Sequence, residues 1–143
     1  MKLEIILPNI EPISLNNSQK ISTIGKFAKK YKTADTKVFE SIVNNLLRKY
    51  RVDINKFNNY YEEKKHYLVA SYRFFKPIFI KDGSRISKTS GDNSNTIKNL
   101  EDIIFKQLIA DDSQVVDLNV TKVHSKDIRT EITITIKELR HIQ

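Results

Sequence analysis

Apolar and polar positions alternate most cleanly near the end of the chain. There Ile128, Thr130, Ile132, Ile134 and Ile136 interleave with Arg129, Glu131, Thr133, Thr135 and Lys137. A period of two predicts a strand with one buried face. Lys2 to Leu7 predicts a first strand, stopped by Pro8 and followed by a loop through Pro12, Asn16, Asn17 and Ser18. Val38, Phe39, Ile42, Val43, Leu46, Leu47 and Tyr50 recur at three-and-four spacing, which predicts a helix from about Thr36 to Arg51, capped by Thr33 or Asp35. Asp53 to Lys65 is polar and asparagine-rich and reads as a connection. In His66 to Phe75 both alternating sets are largely apolar, which predicts a central strand ended by Pro77.

Ile97, Leu100, Ile104 and Leu108 predict a second helix over about Asn95 to Gln107. Asp111-Asp112-Ser113 then turns the chain into a strand from Gln114 to Val123. A turn at Ser125-Lys126-Asp127 leads to the last strand, and the final two strands are expected to pair as an antiparallel hairpin. Two segments lack a clean period. Gln19 to Lys32 lies within a basic loop or arm at about 16–33, and Lys76 to Gly91 has the turn-rich make-up of a long mobile loop. The expected architecture is α+β: strand, helix, strand, helix, strand, strand, forming a mixed sheet with helices packed against it. The length of 143 residues suits a single domain over 1–143.

Charge adds a functional dimension. The chain carries a formal net charge of +8, and the excess is uneven: residues 1–90 hold 18 basic and 8 acidic side chains, residues 91–143 hold 7 and 9. A basic segment joined to a mildly acidic one can grip a polyanion with one part and concentrate carboxylates in the other. The alternative is a lysine-rich surface that is merely solvated. The candidate phosphate contacts are Lys20, Lys26, Lys29, Lys30, Lys32, Arg85 and Lys88. The absence of cysteine excludes disulfides, thiolate zinc sites and cysteine nucleophiles. No apolar run approaches the roughly 18 to 20 residues that span a bilayer, and Glu4 stands where a signal peptide needs apolar residues, so a soluble, cytoplasmic protein without a membrane partner is expected. His66, His124 and His141 lie far apart, and the three glycines form neither a P-loop nor a dinucleotide fingerprint. Tyr67, Tyr72, Phe74 and Phe75 could stack on unpaired bases, but their alternating strand positions suit a core.

The candidate chemistry is carboxylate chemistry. Asp92 stands just before the second helix and Asp111-Asp112 just after it. Hard oxygen ligands are what Mg²⁺ requires, and Lys98 lies one turn from Ser94 or Asn95, where an ammonium could neutralise charge on a phosphorane. A helix of this length separates its ends by roughly 20 Å, so a site built from both ends needs loops that fold back or a second subunit. The same residues also suit a cap at Asp92 and a helix-to-strand turn at Asp111-Asp112.

Asp92-Asn93-Ser94-Asn95-Thr96-Ile97-Lys98, then Asp102, then Asp111-Asp112-Ser113-Gln114-Val115 resembles the signature of the RusA-type Holliday junction resolvases. That family has Asp-x-Asp-Asn-x-x-Lys opening a helix, an aspartate four residues later, and Asp-Asp-x-Gln-Val entering a strand. Leu7-Pro8, Pro12-x-Ser14-x-Asn16 and Tyr31-Lys32-Thr33 are similar to the family's N-terminal layout. The resemblance implies a homodimeric, Mg²⁺-dependent endonuclease, with Mn²⁺ a possible substitute, that nicks two opposed strands of branched DNA at four-way junctions. Such enzymes are frequently carried by phages and prophages. It matches Asp92 and Asp112 to metal-binding aspartates and Lys98 to the family's essential lysine, with Asp111 and Asp102 on matching acidic positions, so Asp92, Asp111 and Asp112 are expected to hold Mg²⁺ and Lys98 to stabilise the transition state. One position departs: the family's second aspartate is Ser94 here, a weaker, neutral ligand. That loss leaves three readings: a site completed by Asp111 or water, a requirement better met by Mn²⁺, or a junction-binding protein that does not cut. An interaction protein of a phage or mobile element, with lysines serving solubility, is a further alternative.

Overall fold

The computed structural model describes the backbone of residues 1–10, 19–24, 27–32, 34–87 and 93–143, and the side chains of 1–10, 36–87 and 97–143. Strand β1 covers Lys2–Pro8, β2 Gln19–Ile24 and β3 Phe27–Lys32. Helix α1 covers Ala34–Leu47 and, after a 3-10 turn at Arg48–Tyr50, α2 covers Arg51–Tyr60. Then come β4 at His66–Lys76, α3 at Asn93–Lys106, a 3-10 turn at Asp112–Gln114, β5 at Val115–His124 and β6 at Arg129–Glu138. The molecule is α+β, with a mixed four-stranded sheet in the order β1-β6-β4-β5 and a separate β2-β3 ribbon.

The sheet buries one face. Leu3, Ile5 and Leu7 of β1, Ile132, Ile134 and Ile136 of β6, and Leu68, Ala70, Tyr72 and Phe74 of β4 share a core with the helices. Phe39, Val43 and Leu47 come from α1, Ile54 and Phe57 from α2, and Ile97, Leu100, Ile103 and Ile104 from α3. Both strand ladders keep this alternation in register, with Ile5 opposite Ile132 and Ile132 opposite Tyr72. On the other face Arg129 and Arg73 lie over the Phe75 ring at 3.7 and 5.0 Å, and Arg129 is paired with Glu131 at 2.9 Å. That face is half-buried to exposed along Val69, Ser71 and Arg73, so β4 is less buried on this side than its largely apolar alternation predicts.

β4 is central, as its composition predicts, but three expectations change. The expected hairpin of the last two strands does not form, because β4 lies between them. It pairs parallel with β5 through the α3 crossover and antiparallel with β6. Two strand spacings of about 4.8 Å fall within the reach of residues 125–128, so a short turn can step across β4. The expected connection at 53–65 is largely helix α2, whose Ile54 and Phe57, followed by Tyr61, bury one narrow stripe. The aperiodic stretch 19–32 contains the antiparallel β2-β3 ribbon.

The described part of the loop after β4 is hydrogen-bonded. Phe79 bridges Ile86, Ser87 N donates to Ile78 O at 2.7 Å, and Gly83, with φ of +73°, turns the tip. His124 Nδ1 accepts from Ile78 N at 3.2 Å, and His66 Nδ1 accepts from Glu62 N at 2.9 Å, so both imidazoles organise backbone.

Candidate active site

Helix α3 and the entry to β5 carry the candidate residues. After Lys106 the chain turns back through Gln107 N donating to Ile104 O and Leu108 N donating to Phe105 O. The return is held from α2: Asn58 donates its amide to Gln107 O at 3.1 Å and accepts from Ile109 N at 2.9 Å. Tyr61, just after α2, donates its hydroxyl to Gln114 Oε1 at 3.4 Å. The polar residues of the unexpected helix therefore position the Asp111–Gln114 segment.

This fold-back brings Asp112 to the middle of α3, not to its end. The Asp112 carboxyl comes within interaction range of the Glu101 carboxyl there. Glu101 is 8% exposed. Burial first, and the nearby Asp112 second, push its carboxyl above the usual range, while Lys98 pulls the other way and Asp102 adds to the rise. Lys98 and Asp112, fourteen positions apart in sequence, thus meet around one buried carboxyl. From Asn93 to Glu101 the helix rises about 12 Å, well under the separation of its two ends.

Tyr72 completes the group from below. Its hydroxyl is fully buried and has no hydrogen-bond partner among the described residues. Burial, then Glu101, Asp112 and Asp102 in that order, raise its pKa far above the ordinary phenol value. A buried O–H without a partner costs free energy, so this hydroxyl is open to a further polar partner. The donor set of two carboxyl groups beside an open hydroxyl fits a hard divalent cation that keeps some of its waters.

The other predicted residues fall in different places. Asp111 is exposed and caps the 3-10 turn, its Oδ2 accepting from Ser113 N at 3.2 Å. The Ser113 side chain first and the Ser113 backbone second hold its carboxyl below the usual range, and its charge bears on Tyr61. Asp92 lies outside the described residues, and Ser94 lies in the first turn of α3. Lys20, Lys29, Lys30 and Lys32 lie on the β2-β3 ribbon, with Lys20 opposite Tyr31 and Lys30 opposite Ile21. Lys26 and Lys88 lie outside the described residues, and Arg85 is exposed beside the Gly83 turn.

Glu101 is the residue that sequence reading missed. The available signal was its place on the stripe Ile97, Glu101, Ile104, Leu108, where a charged group interrupts a core-facing helical pattern.

The α+β fold and the uneven charge, with 18 basic and 8 acidic residues over 1–90, suit a protein that acts on nucleic acid. The family model of endodeoxyribonuclease RusA matches residues 9–135, and the chain belongs to that family of Holliday junction-resolving endonucleases. No curated protein matches the sequence. Among the described residues no helix is long and apolar enough to cross a membrane.

Proposed function

We propose that the protein is a divalent-metal-dependent endonuclease that resolves four-way DNA junctions by paired nicks, acting as a homodimer. Family membership supports junction cleavage. The observation that carries the catalytic reading is the convergence of Asp112 and Lys98 on the buried Glu101, beside the unpartnered Tyr72 hydroxyl. Asp92 and Asp112 would hold the ion, Mg²⁺ or in its place Mn²⁺, and Asp111 would shape the turn that presents Asp112. A bound ion of this kind supplies an activated water and stabilises the leaving oxygen in phosphodiester hydrolysis.

The chain's own residues do the rest. The exposed Lys98 ammonium lies one helical turn from Glu101 and offers positive charge to the phosphorane. Lys20, Lys29, Lys30 and Lys32 on the ribbon, with Lys26, Arg85 and Lys88, would contact phosphates and set affinity and salt dependence without selecting sequence. Glu101 is buried beside the core residues Ile97 and Leu100 of its own helix, whereas Asp112 is only partly buried and stays open to a ligand.

Strand cleavage of a labelled synthetic four-way junction beside matched linear duplex, in Mg²⁺, Mn²⁺ and EDTA, tests the reading. Paired nicks confined to the junction and the metal lanes are expected. Cleavage in EDTA, or equal cutting of linear duplex, refutes it. Ser94 supports a second reading, a junction-binding protein with weakened chemistry. Under that reading Ser94→Asp raises metal-dependent cleavage from a low baseline.

A further inference from the structure

We propose that Glu101 is a ligand of the nuclease centre, holding the divalent cation jointly with Asp112. The inference rests on the nuclease reading above and goes beyond the family pattern, whose acidic positions fall on Asp92, Ser94, Asp102, Asp111 and Asp112.

Glu101 occupies a helical position that the core would fill with an aliphatic side chain, between Ile97 and Ile104, both buried. A carboxyl group in such a place is costly unless it is paired, and a structural pair would set it against a base. The group on the neighbouring segment that comes nearest in effect is another acid, Asp112, while the one base acting on it, Lys98, is exposed on the same helix. Two neighbouring acids form no ion pair but make a suitable oxygen-donor set for a hard cation.

The independent observation is Tyr72. Its hydroxyl is fully buried, has no hydrogen-bond partner among the described residues, and is acted on by Glu101 and Asp112 above all other charges. A phenol oxygen can accept a hydrogen bond from a cation's water shell, so the same ligand that satisfies the carboxyl pair accounts for the open hydroxyl. The sequence supplies a reason as well. With Ser94 the centre lacks one family carboxylate, and Glu101, seven residues on, returns to the same helix face two turns later.

The test is Mn²⁺ binding by the full chain without DNA, followed by electron paramagnetic resonance, in the native protein, Glu101→Gln and Asp102→Asn. Glu101→Gln keeps the shape, and it is expected to weaken Mn²⁺ binding by roughly tenfold or more. Asp102→Asn removes an exposed charge from the same helix and is expected to weaken it by less than about threefold. In carbon-13 spectra of the native chain, Mn²⁺ is expected to broaden the Glu101 side-chain carboxyl resonance together with that of Asp112. Native affinity in Glu101→Gln, an equal loss in Asp102→Asn, or an unbroadened Glu101 resonance overturns the assignment. The spectra decide the question even if Glu101→Gln does not fold. Mn²⁺ binding that depends on Glu101 in a chain that cuts no junction would refute the nuclease reading and leave this one standing. Junction cleavage by Glu101→Gln with native metal dependence would do the reverse.

Discussion

Tyr72→Phe isolates the cost that this site imposes on the fold. The ring is fully buried between Ala70 and Phe74 on the core face of β4, and phenylalanine fills the same volume without its oxygen. An unsatisfied buried hydroxyl costs about 1–3 kcal/mol, so the variant is expected to be more stable by that amount without metal. A chain of 143 residues unfolds with an entropy of about 0.3 kcal/mol/K near 60 °C, which converts the gain to a rise in Tm of about 3–10 °C. Differential scanning calorimetry in EDTA at neutral pH measures it. The phenol's raised pKa keeps it protonated well past its ordinary value of 10.0, so its own titration contributes nothing at neutral pH. As the sign requires for a raised acid, its ionisation could only destabilise the fold, and only above pH 10. With Mg²⁺ present the advantage of phenylalanine is expected to shrink, because the native hydroxyl then has a partner. A Tm in EDTA equal to or below that of the native protein refutes the reasoning, since it would mean that the hydroxyl is already satisfied.

Other perturbations test neighbouring links. Glu101 has a raised pKa, so the native metal-free protein should lose stability relative to Glu101→Gln as pH rises from 4.5 through the elevated value; urea melts at several pH values check this, and parallel curves would contradict it. Asn58→Ala removes two hydrogen bonds that hold the Asp111–Gln114 approach, and it is expected to cost about 1–3 kcal/mol in guanidinium melts and to slow single-turnover junction cleavage several-fold. Phe57→Ala empties a fully buried site under α2 and should cost about 3–5 kcal/mol, measured by urea denaturation; a loss below about 1 kcal/mol would mean that α2 is not part of the core. Asp112→Asn is expected to reduce cleavage by at least about 100-fold while leaving junction binding in gel shifts near native, because the proposed phosphate contacts lie elsewhere.

The elements with strong periods were legible because burial acts on them one face at a time. Leu3, Ile5 and Leu7, and Ile132, Ile134 and Ile136, declare their strands, and the apolar runs of α1 and α3 declare their helices. α2 was not legible, since only Ile54, Phe57 and Tyr61 mark its buried stripe. Its asparagines read as loop because the partner that uses Asn58, the backbone of Gln107 and Ile109, lies about fifty residues away. The basic ribbon was legible as charge but not as strands, for lysine alternation carries little apolar signal.

By itself the amino-acid sequence determined the α+β class, the central strand, the charge asymmetry, and the acidic and lysine positions that mark the RusA family. These follow from local period and composition, which need no knowledge of neighbours. Only the tertiary structure decided that β4 separates β5 from β6, because strand order depends on which edges the α3 crossover leaves open. It alone sent Asp111 to a cap and Asp112 to the middle of α3. It also turned Glu101 from an interruption in a helical stripe into the partner of Asp112 over the Tyr72 hydroxyl. Those outcomes depend on contacts between segments distant along the chain, and a carboxyl group's chemistry is set by what surrounds it.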